Sequence, residues 1–502
     1  MKTRPKPSVS TRVFPHPVYL NTVLEPNFRH SAEHFFKPLI EINQAHAIML
    51  ARSSIVKKAQ ARKILRALRQ VAGEQKRLSS YQFHGAVEDL YFYVEDRLTR
   101  ICGEEIAGHL SVARSRNDVD MTLYRMVLRG DLLETVRLVS QLGDALLRQA
   151  ASHAMTILPV VTHTQLAQPT TLGHYLLAAA EFLERDRTRA IQAFVHVNQS
   201  PLGACVATTT GFPIDRHLLA GLLGFDGVLE NAYGCIASVD YLVESAGTLS
   251  TLMVNVGRFV QDLLLWSSQD IGLIDLPDGF VQSSSIMPQK RNPVALEHLR
   301  ILASNAVAQS QSIILDLHNT PFGDIVDTED DLQPVVRQAF SYTNRVLELL
   351  KVIIESLEIN VEKALLKCQG GEITLTELAD WLVRTRHVPF RSAHKVVSRV
   401  AKELRKQPAR RQGESFSERV SLLLEGAGAE LLGEPICLSP SEISRILDPR
   451  HFVQVRQVFG GPAPRVVRQS IRRHLKRAAL HRQWLDRTAT GLRRYPQLLR
   501  NL

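Results

Sequence analysis

The sequence predicts an all-α protein with three helical domains and a long central helix bundle. Apolar residues recur at steps of three and four over unusually long stretches, which is the periodicity of helices that pack in a core. Regularly spaced alternating strands and internal repeats are absent. Glycine is 27 of 502 residues and aromatic residues are 6%, and both values favour helix. Hydrophobic residues at 45% and charged residues at 22% exclude wholesale disorder.

The elements are expected in the following order. Residues 1–30 contain five prolines and are predicted to form an extended arm, with helical periodicity beginning near Ser31. Five long helices follow, over residues 120–153, 170–197, 232–268, 294–317 and 333–357. The stretch 232–268 contains no proline and is expected to be one helix of roughly 50 Å at 1.5 Å per residue. Five such apolar stripes exceed what a monomer usually covers, which indicates burial against other subunits.

A chain of 502 residues is too long for a single core. The helical pattern breaks near residues 103–117 and again near residues 368–372. We therefore expect an N-terminal helical domain with the arm over residues 1–117, a central long-helix domain over 118–367, and a C-terminal helical domain over 368–502 that ends in a basic helix.

The net charge of +11 is concentrated at one end of the chain. Residues 465–502 carry eleven Lys and Arg against one Asp, a charge of +10, which leaves +1 for all other residues. A nucleic-acid partner is one interpretation of this segment. The favoured interpretation is an amphipathic helix whose arginines are solvated, because apolar residues recur along it at Val466, Val467, Ile471, Leu475 and Leu480.

The sequence also bears on compartment and on reaction class. Five widely spaced cysteines without a CxxC pair, no secretory signal and no long apolar run indicate a cytoplasmic protein with no membrane segment. The motifs of kinases, dehydrogenases, zinc hydrolases and serine hydrolases are missing. The 18 histidines have no metal-ligand spacing, so neither a metal nor another cofactor is expected.

Two polar segments adjoin predicted long helices. The first is ARSRND at residues 113–118, where Ser115, Arg116 and Asn117 could recognise carboxylates, while Asn117 or Asp118 could equally cap the following helix. The second is VVTHTQLAQP at residues 160–169, where His163 lies among Thr162 and other polar residues. Such a histidine is usually structural, but its polar neighbours favour a cavity lining.

The third segment, SSSIMPQKRNPVALE at residues 283–297, is the most specific. Its serines and prolines predict a structured loop that enters a helix near Val294. The loop is dense in hydrogen-bond donors such as Ser284, Lys290 and Asn292, and it is poor in acids. It is therefore suited to an anionic substrate, whereas a flexible polar linker is the less favoured interpretation.

These three segments, in this order, resemble the fumarase/aspartase superfamily of β-elimination lyases. Further stretches resemble the argininosuccinate lyase branch specifically, and they are SPLGA at 200–204, FPIDR at 212–216 and LLGFDG at 222–227. The resemblance covers roughly residues 85–470. It implies an all-α homotetramer with a core of about twenty helices, in which three subunits build each active site. It also implies reversible elimination of an amine with release of fumarate, without metal or organic cofactor.

The resemblance also implies roles for single residues. Ser284 matches the family's general base, and Lys290 lies close enough in sequence to stabilise its alkoxide. His163 matches the catalytic histidine, which would protonate or position the departing nitrogen, and Glu297 matches the carboxylate that orients it. The residues that match the family's substrate contacts are Ser115, Arg116, Asn117, Thr162, Gln165 and Asn292.

The sequence departs from the family pattern at four places. Ser283, Ser111 and Tyr91 stand where the family usually has Gly, His and His. In PFGDIVDTEDD at residues 321–331, the residues Phe322, Asp327 and Asp330 stand where argininosuccinate lyases carry Tyr, Gln and Lys that hold the arginine half of the substrate. An acidic site disfavours a carboxylate and could favour a cationic amine.

Three hypotheses follow. The leading one is a lyase that acts on argininosuccinate or a related N-substituted aspartate, including the ethylenediamine-disuccinate type. Another superfamily lyase, such as adenylosuccinate lyase or aspartase, is the second. A non-catalytic structural protein on the same fold is the third, and the presence of Ser284, Lys290 and His163 argues against it.

Overall fold

The all-α prediction is confirmed by the computed structural model, which describes residues 14–78, 80–369, 372–406 and 415–500. The N-terminal helices are α1 (Pro17–Tyr19), α2 (Glu25–His34), α3 (Phe36–Arg52), α4 (Lys58–Ala72), α5 (Gln75–Leu78), α6 (Leu90–Cys102) and α7 (Glu104–Gly108). One π-helical turn, Leu20–Leu24, lies between α1 and α2, and a 3-10 turn, His109–Ser111, follows α7. Together they surround an apolar core that contains Phe36, Ile48 and Leu68.

The predicted extended arm is wrong for residues 17–30, which are helical. Pro17 lies in the first turn of α1, where a proline loses no hydrogen bond because the first N–H groups of a helix have no partner within it. Pro26 lies just after the π-helical turn Leu20–Leu24, where the Glu25 N–H donates to the Leu20 carbonyl five residues earlier. The part of the predicted arm over residues 1–13 lies outside the described residues.

The central helices are α8 (Arg116–Ser152), α9 (Leu172–Val197), α10 (Arg216–Leu222), α11 (Ala232–Ala237), α12 (Asp240–Trp266), α13 (Val294–Leu317), α14 (Leu332–Ser356) and α15 (Val361–Cys368). Five of them are long, and they close into a ring in which α8 packs on α9 and α14, α12 packs on α9 and α13, and α13 packs on α14. This ring is the long bundle that the periodicity predicts, and α13 has the predicted bounds.

The prediction of one helix over residues 232–268 is wrong, because the chain leaves the helix at Ser238. Ser238 is extended, with φ −83° and ψ 124°, and its N–H closes α11 on the carbonyl of Gly234. The apolar spacing from Ile236 to Val239 continues across the break. The apolar periodicity therefore did not predict the break at Ser238.

Eight short strands form four two-stranded pairs in the described residues. The longest pair is the antiparallel hairpin of β1 (Ile157–Thr162) and β2 (Gln165–Thr171), which the sequence did not predict. The others are β3 (Gln199–Ser200) with β4 (Gly227–Val228), β5 (Ile274–Asp275) with β8 (Glu358–Ile359), and β6 (Gln282–Ser283) with β7 (Arg291–Asn292). Short 3-10 turns at Asp278–Phe280 and Val326–Thr328 complete this region.

The C-terminal helices are α16 (Leu375–Arg386), α17 (Phe390–Lys406), α18 (Phe416–Leu432), α19 (Pro440–Ile446), α20 (Pro449–Gln454) and α21 (Pro464–Leu498), preceded by a 3-10 turn at Glu372–Thr374. Residues 375–447 build an apolar core of their own. The division into residues 1–117, 118–367 and 368–502 stays a prediction. Its second boundary adjoins residues 370–371, which lie outside the described part, and residues 202–236 pack into the first core.

The basic helix α21 lies along α8 and α9. Arg482 forms two hydrogen bonds of 2.9 Å to Asp144, and Arg477 lies 2.5 Å from a carboxylate oxygen of Glu184. The predicted apolar stripe is correct for Val466, Val467 and Ile471, which are buried. It is wrong for Leu475 and Leu480, which are exposed, because the buried line continues through His474 and Ala478 instead.

None of the helices in the described ranges is long and apolar enough to cross a membrane.

Candidate active site

The first polar segment forms the start of α8, and Asp118 is its structural anchor. One carboxylate oxygen of Asp118 accepts from the Ser115 N–H at 3.0 Å, and the other accepts from the N–H groups of Gly203 and Cys205 at 2.8 and 3.0 Å. Burial raises the pKa of Asp118 to about 6, against the three N–H donors, which lower it. The N-cap of α8 is thus Ser115, not the predicted Asn117 or Asp118, and Asp118 completes the capping box from the third helical position.

The two arginines of this segment differ in exposure. The Arg114 side chain is buried, donates to Asn43 and to Glu95, and lies 5.2 Å from the Tyr91 ring centroid. Arg116 is partly exposed and donates to Glu88 and Asp89 at 3.1 and 2.8 Å. Only Arg116 keeps a guanidinium at the surface of the segment.

Asn117 contacts the acidic segment of residues 321–331 within the same chain. Its amide donates to a carboxylate oxygen of Asp324, and its carbonyl oxygen accepts from the Ser115 hydroxyl. The structure therefore brings together two segments that are about 200 residues apart in sequence. The Phe322 carbonyl is held in the same region by the Tyr233 hydroxyl at 2.8 Å.

Beside this contact lies a cavity of about 140 Å³ that is rich in carboxylates. Burial, together with the negative charges of neighbouring acids, raises the pKa of Glu329 to about 8 and that of Asp330 to about 6. Further residues that line it are Asp89, Arg116, Asp120 and Tyr124. Asp330 thus joins the group formed by Arg116 and Asn117, whereas Asp327 is exposed and does not line the cavity.

Asp89, Asp120, Tyr124 and Glu329 were missed by the sequence reasoning. Asp120 and Tyr124 are one and two turns into α8, where the helical spacing from Arg116 places them on the same face. That spacing was a usable signal. Nothing in the sequence indicated that Asp89, some thirty positions earlier, would lie against the same face.

The second segment is the hairpin β1–β2, and His163 is at its tip. His163 and Thr164 form a two-residue connection with φ values of 51° and 62°, and Thr162 pairs with Gln165 across it. Positive φ at both positions is the geometry of a type I′ turn. All four side chains are exposed, and that of His163 has no hydrogen-bond partner among the residues that the structure describes.

The third segment is a loop between β6 and β7 that leads into α13, as the sequence predicts. The half-buried Ser284 hydroxyl oxygen accepts from the N–H groups of Ile286 and Met287 at 3.3 and 3.1 Å. Arg291 fastens the loop by donating to Asp278 and to the Leu276 carbonyl. Two backbone N–H groups directed at one hydroxyl oxygen stabilise negative charge on it.

The other predicted residues of the third segment lie in and after this loop. Lys290 is exposed, Asn292 is half-buried in β7, and Glu297 is exposed in the first turn of α13. Among the described residues, no hydrogen bond or ion pair joins Ser284 to Lys290, or His163 to Glu297. In the part of the chain that the structure describes, no hydrogen bond or ion pair joins the three segments to one another, and the first segment is hydrogen-bonded to the acidic segment through Asn117.

No group of three or more His, Cys, Asp or Glu side chains in the described ranges has the arrangement of a metal site.

Comparisons with known proteins agree on one family. Residues 26–308 match the family model described as lyase, and residues 372–454 match that of the argininosuccinate lyase C-terminal region. The chain is 40% identical over 461 residues to argininosuccinate lyase 2 of Agrobacterium fabrum, which covers 92% of this chain and 90% of the relative. It is 35% identical over 433 residues to argininosuccinate lyase of Methanocorpusculum labreanum, covering 86% and 85%.

Solved structures show the same fold. EDDS lyase in complex with formate superposes with a TM-score of 0.83 at 29% identity, covering 94% of this chain and 91% of that chain. A fumarate lyase from Mesorhizobium sp. BNC1 superposes with a TM-score of 0.70 at 17% identity, covering 89% and 97%, and shows likeness of fold alone.

Proposed function

The chain belongs to the fumarase/aspartase superfamily, among its argininosuccinate lyase-like members, and is a fumarate-releasing carbon–nitrogen lyase; from this premise we propose that it eliminates an amine from an N-substituted aspartate with Ser284 as the general base. The observation that carries the proposal is the pair of N–H groups, of Ile286 and Met287, that donate to the Ser284 hydroxyl oxygen. The substrate is argininosuccinate or a related N-substituted aspartate.

The chemistry explains why such a loop is needed. Removal of a proton from the carbon next to a carboxylate places extra negative charge on that carboxylate, so preorganised donors must stabilise it. A serine hydroxyl is too weak a base unless its alkoxide is also stabilised. The two N–H groups supply this at Ser284, and Lys290, at the far end of the same loop, would add a positive charge.

The roles proposed for the remaining residues follow from their match to the family's motifs. His163 protonates or positions the departing nitrogen, and Glu297 orients His163. The substrate carboxylates are bound by donors from all three segments, namely Ser115, Arg116, Asn117, Thr162, Gln165 and Asn292.

We propose a homotetramer in which three subunits contribute one segment each to every site. The absence, among the described residues, of hydrogen bonds and ion pairs between the segments of one chain supports this arrangement. So do large apolar side chains on the outer faces of the bundle, where Leu265, Ile301 and Leu315 are 47%, 53% and 71% exposed. Contact with other subunits would bury them.

The amine that leaves is proposed to be cationic in its distal part. Asp324, Glu329 and Asp330 lie beside Asn117 and Arg116, where the distal half of the substrate would extend. Burial, together with the charges of neighbouring acids, raises the pKa values of Glu329 and Asp330, and an ammonium group beside them would stabilise their charged forms. Asp327, which the sequence also suggested, is exposed and contributes less.

The general base is tested by fumarate turnover. With fumarate and a panel of amines that includes arginine and ethylenediamine, absorbance of fumarate should fall for the native protein. Ser284→Ala should lower kcat by a factor of roughly 1,000 or more, since loss of the base removes proton abstraction. The matched control is Ser285→Ala, the exposed neighbour in the same loop, which should retain near-native turnover. Full activity in Ser284→Ala, or no fumarate consumption with any amine, would contradict the proposal.

The amine preference is tested separately with Asp330→Asn. The variant removes one charge from the cavity, so KM for ethylenediamine should rise by about tenfold, as expected for loss of one charge-assisted contact. The KM for fumarate should change little, because fumarate binds the three motif segments. Asp327→Asn, in the same segment but outside the cavity, is the control and should leave both KM values unchanged. An equal rise of both KM values in Asp330→Asn would contradict a role in amine binding.

A further inference from the structure

One cavity of the described structure is lined by none of the proposed site residues. Its volume is about 540 Å³, and it lies between α3, α4 and the end of α21. Cavities that bind small molecules usually measure roughly 300–1,000 Å³. This cavity is therefore large enough for a ligand, and it is separate from the proposed reaction.

The floor of the cavity is apolar. Phe36, Ile40 and Leu499 line it and are only 1%, 3% and 2% exposed, so they are fixed by the core behind them. Ala72 and Pro496 extend this surface from opposite sides. A rigid apolar floor favours a ligand with a hydrocarbon body.

The rim of the cavity is cationic. Lys37, Arg69 and Arg500 line it, each from a different helix or turn. Within the residues that the structure describes, neither Arg69 nor Arg500 forms an ion pair with a carboxylate. Lys37 lies 4.0 Å from a carboxylate oxygen of Glu41. Two guanidinium groups without a carboxylate partner thus face one space.

Glu41 is the only acid among the described residues that line the cavity, and it is already engaged. Glu41 is 7% exposed and accepts from the Tyr495 hydroxyl at 2.8 Å. Against this one carboxylate, the lining has three cationic side chains, Lys37, Arg69 and Arg500. The cavity therefore has a net positive charge.

We propose that this cavity binds a small organic anion that has an apolar body and a single carboxylate or phosphate group. The apolar body lies between Ala72 and Pro496, above the buried floor of Phe36, Ile40 and Leu499, and the anionic group lies between Arg69 and Arg500. Guanidinium groups bind carboxylate and phosphate by the same forked hydrogen bonds. Fumarate, which has two charges and almost no apolar surface, is a poor match to this cavity. The site goes beyond the proposed lyase reaction.

Isothermal titration calorimetry with the full chain tests the proposal. Hexanoate and phenyl phosphate are the two probes, and at least one should bind with one site per chain in the presence of saturating fumarate. Inorganic phosphate, which lacks the apolar body, and hexanol, which lacks the charge, should bind at least about tenfold more weakly. A stronger response to hexanoate or to phenyl phosphate identifies which anionic group the site prefers.

The variant Arg69→Ala/Arg500→Ala should lower the affinity for the bound probe by about tenfold or more. Arg66→Ala is the control, since Arg66 is an exposed arginine one turn earlier on α4 that does not line the cavity. Both variants should keep the native melting temperature and turnover, because neither touches the proposed active site. The proposal is overturned if neither probe binds, if fumarate displaces the probe, or if the double variant binds it as well as Arg66→Ala does.

Discussion

The residues of the candidate site divide by burial into those that can meet a substrate and those that hold them. Ser284, Lys290 and His163 are exposed or half-buried, whereas Asp118 and the Arg114 side chain are buried behind the first segment. Asp118 satisfies three backbone N–H groups from two loops. A carboxylate that accepts from three backbone N–H groups has a structural role. The motif therefore contains Asp118 to hold the segment and, beside it, Asn117 as the proposed substrate contact.

Behind the same segment, His46 makes folding stability depend on pH. It is 1% exposed, its Nε2 lies 2.8 Å from the Val112 carbonyl, and Nδ1 has no partner among the described residues. Burial, and then the nearby charge of Arg114, lower its pKa from 6.5 to about 3. The unfolded chain therefore binds a proton more readily than the folded chain between those values.

Stability should accordingly be fully present above pH 6.5 and decrease as pH falls toward 3. At 1.36 kcal/mol per pH unit, His46 alone would lower the free energy of unfolding by roughly 2 kcal/mol at pH 5. Urea unfolding at pH 7 and pH 5 measures this difference. It should shrink in His46→Gln, whereas His318→Gln, which changes an exposed histidine, should keep the native difference. An unchanged difference in His46→Gln would show that other groups carry the dependence.

At the scale of elements, α21 is held to the rest of the chain by a close approach at Gly224. Gly224 has φ +71°, and a Cβ there would lie 2.7 Å from the Tyr495 ring. Tyr495 in turn donates to Glu41, and its ring lies 5.3 Å from the guanidinium of Arg129. The basic helix is therefore seated on the loop that follows α10, not free in solvent.

Gly224→Ala should lower the free energy of unfolding by about 2 kcal/mol or more, because it adds both a strained φ and a clash with Tyr495. Thermal and urea unfolding measure the change. The matched control is Gly221→Ala, three residues earlier within α10, where a Cβ meets nothing within 4 Å. An alanine there should leave stability unchanged or raise it by up to about 1 kcal/mol. Equal effects of the two changes would contradict the close packing at Gly224.

The β1–β2 hairpin shows why one element could not be predicted. Its turn, His163–Thr164, has left-handed backbone at two residues that rarely adopt it, and it lacks the Asn–Gly or Gly that marks such a turn in a sequence. The polar residues around it predict the lining of a cavity, and this stays a prediction. The structure holds His163 at the tip of the hairpin with its side chain exposed.

For the whole molecule, the shared-site proposal predicts complementation between two inactive variants. Asn117→Ala and Ser284→Ala lie in different segments, so a mixed tetramer contains some sites in which every segment is intact. Random mixing should restore about a quarter of native turnover, since each of two segments is intact in half of the subunits. Turnover of the co-refolded mixture, compared with each variant refolded alone, measures the restoration.

The control mixture combines Ser284→Ala with Lys290→Ala. Both changes lie in one segment, and a site takes that segment whole from a single subunit, so no activity should return. Restoration in this control as well, or in neither mixture, would contradict sites built from three subunits.

The sequence was sufficient for the fold class, for four of the five long helices to within a few residues, and for the family, because helical periodicity and the three motifs are local properties. It was insufficient where distant residues meet. The contact of Asn117 with Asp324 and the burial of Asp330 next to Asp89 depend on how α8 and α14 pack. The break at Ser238 also left no mark in the periodicity.

The positions of Tyr495 and Leu499 affect the order in which the protein folds during its synthesis. Leu499 belongs to the same apolar core as Phe36 and Ile48, although more than 450 residues separate them in sequence. On the ribosome, the N-terminal helices emerge long before α21 is synthesised, and until then the surface that receives Leu499 faces solvent. The core that begins to form first is therefore among the last to be completed. Nascent chains that stop before residue 495 should need a chaperone most.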